Sequence, residues 1–214
     1  MFLIRVSLPD RPGALGAVAS AMGTAGADIH AVEIVGREHG RVIDDFMVNL
    51  PAGMMPDGVV SACTSLPDVR VLWCSRYPGG AGLESDVEVL ERMLADPDQA
   101  AEILTESVPA VFHCHWAVLV QVPGGPIRHA TPLAPDLSTQ GLELLGELTE
   151  CRTLELPAGW VPQWVETTAG IIPVGPDLSI VAGRHGGPEF LAAEMARLRY
   201  LATLITSVIQ GDNA

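Results

Sequence analysis

The chain has 214 residues, of which 48% are hydrophobic, and its formal net charge is −14. This negative charge disfavours nucleic-acid backbones and anionic membrane surfaces as partners. No apolar run approaches the ~20 residues that cross a bilayer, and the N-terminus lacks a signal-peptide pattern, so a cytoplasmic protein is expected. Its cysteines are widely spaced without a CxxC pair, which disfavours a disulfide framework or a zinc site: Cys63, Cys74, Cys114 and Cys151.

The first segment predicts a strand, a sharp turn and a helix. Apolar residues at every second position from Phe2 to Leu8 indicate a strand with one face on a core. Asp10 and Pro12 are signals of a helix start, and Gly26 is expected to end that helix. Four apolar residues recur at helical spacing and are expected to form its buried face: Leu15, Val18, Met22 and Ala25.

The following segment predicts a hairpin, a short helix and a fourth strand. Alternation at 30–34 and again at 42–50 flanks Glu38-His39-Gly40, which reads as a hairpin turn. A short helix over 56–65 and a strand over 69–73 follow. Strand, helix, hairpin, helix, strand in this order is the split βαβ arrangement.

The stretch PDRPGALGAVASAMGTAGADIHAVEI at 9–34 also resembles the opening of an ACT domain, in which a D/N-R-P-G-x-L turn precedes a helix and G-x-N-I precedes the second strand. The resemblance extends over about residues 1–77. It implies a ferredoxin-like βαββαβ unit that binds a small ligand, commonly an amino acid, at a paired-domain interface. Asp28 stands where the family often has Asn, and Asp10 where some amino-acid-binding members place an amide.

The turn after the first strand is the predicted ligand site. Backbone N–H groups near 11–15 point outward at the positive end of the helix dipole and would take the carboxylate of an amino acid. Two carboxylates, on Asp10 and Asp28, would take its ammonium. Gly13 lets a ligand approach the backbone, and a Cβ is expected to be tolerated there if its φ is negative. The predicted ligand-binding residues are Asp10, Arg11, Gly13, Ala14, Leu15, Asp28 and Ile29.

A Pro/Gly-rich stretch at 78–83 is the predicted linker between domains at 1–77 and 84–214. Beyond it we expect a capped helix from Ser85, a second helix from Asp96, strands at 116–122, 127–131, 169–174 and 178–182, and a long helix opening at Gly187-Pro188-Glu189. The first two helices are expected to bury these residues: Val87, Leu90, Leu94, Ile103, Leu104 and Val108.

An antiparallel sheet with flanking helices, closing with a hairpin and a long helix, is similar to a GAF domain. The similarity is strongest in LSIVAGRHGGPEFLAAEMARLRYLATLI at 178–205. It implies a second small-molecule sensor or a dimerising module. The predicted fold class is therefore α+β, with an ACT-like unit followed by a GAF-like antiparallel sheet with flanking helices.

His113-Cys114-His115 is a candidate metal cluster, because a strand would place the two imidazoles on one face. A third ligand would have to come from His129, His185 or Glu166. A structural histidine pair beside a core tryptophan is the favoured interpretation.

Two further clusters of residues are candidates for ligand binding. Arg184-His185-Gly186-Gly187 precedes a helix and could bind an anion, although a plain strand-to-helix loop is favoured. Trp160 and Trp164, with the charged residues Glu166 and Arg152 nearby in the sequence, could bind a cation between their rings. The favoured alternative is that the two rings cover one end of a sheet.

No catalytic constellation emerges. Ser85, Ser138 and Ser179 lie in no GxSxG, and Asp44 and Asp45 would point to opposite faces of a strand. We expect a non-catalytic sensor of a small molecule, most plausibly an amino acid, without cofactor or metal, acting as a homodimer or higher oligomer. The alternatives are a metabolic enzyme with a catalytic second domain, and a scaffold whose ligand site is vestigial.

Overall fold

A computed structural model describes residues 1–76, 86–137, 139–162 and 166–211. The chain divides into two compact units, Met1–Pro78 and Gly79–Ala214. The predicted linker and the cap at Ser85 lie outside the described residues, as do Ser138 and Trp164.

The first unit is a four-stranded antiparallel sheet with two helices, formed in the order β1 (Phe2–Pro9), α1 (Ala14–Thr24), β2 (Asp28–Glu38), β3 (Arg41–Asn49), α2 (Asp57–Thr64) and β4 (Arg70–Arg76). The strands lie in the order β2-β3-β1-β4. This is the predicted βαββαβ topology, and the turn at His39 and Gly40, both with positive φ, forms the hairpin.

Both helices of the first unit contribute to one core against the sheet. Val18 and Met22 of α1 and Val59 and Cys63 of α2 pack with the sheet side chains Ile4, Val6, Leu8, Phe46 and Val48. Leu15, predicted to join them, is 41% exposed. Leu15 lies in the first turn of α1, and its side chain is outside this core.

The second unit contains α3 (Asp86–Ala95), a 3-10 turn (Pro97–Gln99), α4 (Ala100–Val111), β5 (Trp116–Gln121), β6 (Ile127–Ala130), α5 (Thr139–Leu145), β7 (Arg152–Leu156), β8 (Thr167–Pro173), β9 (Leu178–His185) and α6 (Ala192–Gly211). The five strands form an antiparallel sheet in the order β6-β5-β9-β8-β7. Residues of α3, α4 and α6 pack on one face, and Leu145 of α5 and Trp160 pack on the other.

One strand and one helix face of this unit differ from the predictions. Strand β7 was not predicted, because its alternation is short and mixed with charged residues. Helix α3 buries Val89 and Met93, whereas Val87 and Leu94 are exposed, so the predicted face was wrong. Its apolar residues fit two faces of a helix, and packing selects the one on the core.

The long helix α6 begins at Ala192 rather than at Gly187-Pro188-Glu189. The guanidinium of Arg184 donates to the carbonyl oxygens of Pro188 (3.3 Å) and Glu189 (3.2 Å), which holds this segment outside the helix. The Glu194 carboxylate then accepts from the backbone N–H of Leu191 at 2.7 Å, in the manner of a capping box.

Candidate functional site

The turn between β1 and α1 presents the N-terminus of α1 without a side-chain cap. Gly13 is the N-cap residue, with φ of 87° in the left-handed region. Among the described residues, no acceptor lies within hydrogen-bonding distance of the N–H groups of Leu15 and Gly16. A Cβ built at Gly13 would meet no atom within 4 Å. Uncapped N–H groups at the positive end of a helix dipole suit an anionic group.

The positive φ corrects one expectation about Gly13. A side chain there would be strained by the backbone even though the space in front of it is open. Pro12 precedes the helix rather than opening it, and the N–H of Asp10 bonds to the carbonyl oxygen of Gly40 at 2.9 Å.

The structure does not bring Asp10 and Asp28 together within one chain. Strands β1 and β2 are both antiparallel to β3, so they run parallel to each other. The end of β1 lies beside Arg41, whereas Asp28 lies beside Asn49. These β3 positions are eight residues apart, which is about 26 Å along a strand. One ammonium ion therefore cannot contact both carboxylates of the same chain, and Ile29 is equally remote from the turn.

Asp10 is exposed and lies 4.0 Å from the guanidinium of Arg37 on β2. This ion pair is on the surface, where solvent screens both charges. Asp10 thus lies three residues before the N-cap of α1, at the end of the sheet that carries the β2–β3 turn.

Asp44 lies in this region, although the sequence does not predict it as a site residue. It lies on β3 opposite Val6 of β1 and Ile34 of β2, and it is only 2% exposed. Its Oδ1 atom has no hydrogen-bond partner within the described part of the chain. Burial, reinforced by the neighbouring Asp45 charge and opposed by Arg37, raises the pKa of Asp44 from 3.8 to about 6.

Its neighbour Asp45 has the opposite environment. Asp45 accepts two hydrogen bonds of 2.7 Å from the guanidinium of Arg5, and both side chains are buried. The strand alternation places Asp44 on the face of Val6 and Phe46 that the helices cover, and Asp45 on the other face, as the sequence predicted. Of these two adjacent carboxylates, Asp45 is the one that has a guanidinium at 2.7 Å among the described residues.

Apolar side chains are exposed on the helix-facing side of β2. Val32 pairs with Phe46 and is 40% exposed, and Ile34 pairs with Asp44 and is 52% exposed. Strand β2 is an edge of the sheet. An edge strand with exposed apolar residues is suited to pairing with another strand or to covering by a ligand.

The predicted histidine pair of the second unit is not on a strand. His113 has φ of 48° and, with His115, lies in the turn before β5, so the alternation argument does not apply. His115 instead contacts His185, with ring centroids 4.9 Å apart. Burial and the adjacent His185 and Arg184 lower the pKa of His115 to about 4. No group of three metal-ligating side chains occurs in the described ranges.

Arg184 is a structural residue rather than an anion ligand. Its buried guanidinium donates to the Glu194 carboxylate at 2.6 Å and to the carbonyl oxygen of Phe112 at 2.7 Å. It also lies 4.0 Å from the centroid of the Phe190 ring. These contacts join β9 to α4 and to the start of α6, as the favoured strand-to-helix interpretation requires.

The aromatic group near Trp160 also has a packing role. Trp160 stacks on Trp116 with ring centroids 6.1 Å apart and donates to the hydroxyl of Thr167 at 3.1 Å. Arg152 donates to the carbonyl oxygen of Glu147 instead of approaching these rings. The rings therefore cover one side of the sheet, and the contribution of Trp164 lies outside the described residues.

The described part of the second unit has cavities on its surface. One of about 740 Å³ lies between β5, the turn after it and α5, with Val120, Ile127, Leu142 and Leu148 in its wall. Another, of about 420 Å³, is lined by Glu155, Glu166 and the threonines at the start of β8. Their sizes suit small molecules.

Comparisons with known proteins agree with the topology of the first unit. The family described as "ACT domain" matches residues 2–62. No protein with a curated description matches the chain. Within the described residues, no helix combines the length and the apolar character that crossing a membrane requires.

Two solved structures are similar in part. The GAF domain of a protein described as a sensor histidine kinase, from Pseudomonas syringae pv. tomato, has 11% sequence identity and a TM-score of 0.40, covering 60% of this chain and 87% of that chain. A protein of unknown function from Galdieria sulphuraria has 14% identity and a TM-score of 0.33, covering 98% of this chain and 91% of that chain. Independently of these two structures, residues 2–62 match the ACT domain family and lie in a βαββαβ unit. The predicted α+β class with two antiparallel sheets is confirmed by the sheet topology.

Proposed function

We propose that the protein is a non-catalytic sensor that binds an amino acid at the N-terminus of α1 and acts as a dimer. The observation that carries this proposal is the uncapped helix start, where the N–H groups of Leu15 and Gly16 have no acceptor in the described chain. A ligand carboxylate there would gain charge-assisted hydrogen bonds and a favourable helix dipole. The exposed carboxylate of Asp10, three residues before the N-cap Gly13, favours a positively charged group beside it.

A second copy of the chain would supply the predicted Asp28. If two β2 edges pair antiparallel about a twofold axis, the start of one β2 lies beside the end of the other. That arrangement carries Asp28 of the second copy toward Asp10 and Arg37 of the first. The exposed Val32 and Ile34 in the middle of β2 would then be covered in the dimer.

The test begins with thermal melting of the full chain in the presence of each of the twenty amino acids. A molecule that binds only the folded state stabilises it by mass action, by about 2.7 kcal/mol at one hundred times its Kd. We expect one amino acid, or one chemically related group, to raise the melting temperature. A flat response to all twenty would overturn the proposal.

A matched pair of variants then locates the carboxylate. Leu15→Glu places a competing carboxylate in the first turn of α1, where Leu15 is half-exposed and no acidic residue is present. Leu15→Gln has nearly the same shape without the charge. We expect Leu15→Glu to weaken binding at least tenfold, consistent with about 1.5–3 kcal/mol for hydrogen bonds to a charged group. Binding to Leu15→Gln should stay within about twofold of wild type; equal affinity in both variants would place the carboxylate elsewhere.

A further inference from the structure

A buried carboxylate lies on the sheet face that α1 covers. Asp44 is 2% exposed, and its Oδ1 atom is unpartnered among the described residues. Leaving a buried polar atom without a partner is costly, and more so for a charged group. A ligand that donates hydrogen bonds to this atom would recover that cost on binding.

The direction of the side chain follows from the strand register. Asp44 pairs directly with Val6, which belongs to the core beneath the helices, and it is two residues from Phe46 of that core. Its carboxylate therefore lies on the face of the sheet that α1 and α2 cover. Its other cross-strand neighbour, Ile34, is half-exposed. Asp44 is therefore buried next to a residue that reaches the surface.

The charges around Asp44 leave it as the acceptor of an external cation. Asp45 is neutralised by Arg5, whereas Asp10 lies near Arg37 at the surface. Arg37 pairs with Val42, two residues from Asp44 along β3, and it lies 4.0 Å from Asp10, so both charges lie toward the same end of β3 as Asp44. Helix α1 itself contains no charged residue.

We propose that Asp44 accepts the ammonium group of an amino acid whose carboxylate lies at the N-terminus of α1, and that this amino acid has an apolar side chain. The inference rests on the proposed function and adds the identity of the cation acceptor and the class of side chain. The apolar class follows from the surroundings, because Val32 and Ile34 are exposed on β2, and Ile34 lies directly opposite Asp44. An apolar ligand side chain would cover them.

Binding should then depend on pH. The ammonium requires an ionised Asp44, and burial together with Asp45 raises the pKa of that carboxyl to about 6. The carboxylate and the ammonium of the ligand do not titrate between pH 5 and pH 7. The affinity should therefore be about tenfold lower at pH 5 than at pH 7, and binding at pH 6, where about half of the Asp44 carboxyls are protonated, should release about half a proton per ligand.

The experiment is calorimetry on the full chain with three probes: L-leucine, its analogue without the amine (4-methylpentanoate) and its analogue without the carboxylate (3-methylbutylamine). Each is measured at pH 5 and pH 7 with wild type, Asp44→Asn and the control Asp57→Asn, which removes an exposed carboxylate at the start of α2. Circular dichroism checks that the variants are folded. Wild type alone also reports proton release at pH 6, through two buffers with different ionisation enthalpies.

We expect wild type to bind L-leucine at pH 7 and each analogue at least tenfold more weakly. Asp44→Asn should lose at least tenfold in affinity and should lose the difference between pH 5 and pH 7, while Asp57→Asn behaves as wild type. Equal leucine binding by wild type and Asp44→Asn, or binding by wild type without proton release, would overturn the role of Asp44 and leave the proposed function standing. If only polar amino acids raise the melting temperature in the screen of all twenty, the inference that the ligand has an apolar side chain would be overturned. Absence of binding by every amino acid would overturn this inference and the proposed function together.

Discussion

Replacing Asp44 with Asn should change how the stability of the first unit depends on pH. The folded chain raises the pKa of Asp44 from its ordinary 3.8 to about 6, chiefly through burial. Between these two values the folded state holds a proton that the unfolded state has released, so stability falls as the pH rises toward 6 and is constant above it. The full shift corresponds to about 3 kcal/mol, and screening by nearby solvent reduces the expected loss to about 1–2 kcal/mol.

The measurement is hydrogen exchange of peptides from β1 and β3 in wild type and Asp44→Asn, at pH 4.5 and pH 7, corrected for the intrinsic rate at each pH. The other titrating groups are common to both chains, and any constant effect of the new amide cancels in the comparison. Wild type should lose about 1–2 kcal/mol of protection relative to Asp44→Asn between the two pH values. The same pH dependence in both chains would show that the carboxyl of Asp44 is not perturbed, and would refute the argument from burial.

Four further outcomes are expected. Glu194→Gln should destabilise the second unit by about 3–5 kcal/mol, because the buried guanidinium beside it loses its counter-charge; a shift in thermal denaturation below 1 kcal/mol would contradict this. Gly13→Ala should destabilise by about 1 kcal/mol through its positive φ, whereas Gly16→Ala, inside α1 with open space around it, should stabilise by about 0.5–1 kcal/mol; chemical denaturation of the two variants should give opposite signs. Light scattering should give at least a dimer, and Val32→Lys on the edge strand should lower the mass toward a monomer; a wild-type mass near 22.6 kDa would argue against pairing. A fragment of residues 1–78 should fold alone, with helix and sheet signals in circular dichroism; an unfolded fragment would argue against an independent domain.

The first unit could be predicted well because its signals are local. Alternation from Phe2 to Leu8, glycines at the turns and the helical spacing of Val18 and Met22 each follow from a few neighbouring residues. In the second unit, the same rules chose the wrong face of α3, because Val87 and Leu94 fit a helical stripe as well as Val89 and Met93. Tertiary packing decided between the two stripes, and a single sequence does not contain that information.

The candidate site was only half predictable for a related reason. The helix start at Gly13 is encoded in consecutive residues, and the structure places it as expected at the end of β1. The pairing of Asp10 with Asp28 depended on strand direction across the sheet, and both β1 and β2 are antiparallel to β3. Asp10 follows β1, and Asp28 begins β2, which runs parallel to β1. The end of one strand and the start of its parallel neighbour lie at opposite ends of a sheet. The topology therefore excludes a site that contains both carboxylates of one chain.

Asp44 carries no signal of a binding site in the sequence, because adjacent acidic residues in a strand look like an interruption of the alternation. The structure separates them: Asp45 pairs with Arg5 on one face, whereas Asp44 keeps an unpartnered oxygen on the other, within the described chain. A hydrophobic residue at position 44 would match its neighbours Val6 and Phe46 without this cost. Local rules that fail in an otherwise consistent fold mark functional or strained positions. The cost of burying Asp44 therefore favours a role in binding a cation from outside the chain. Asp44 lies on the same side of the sheet as the uncapped helix α1.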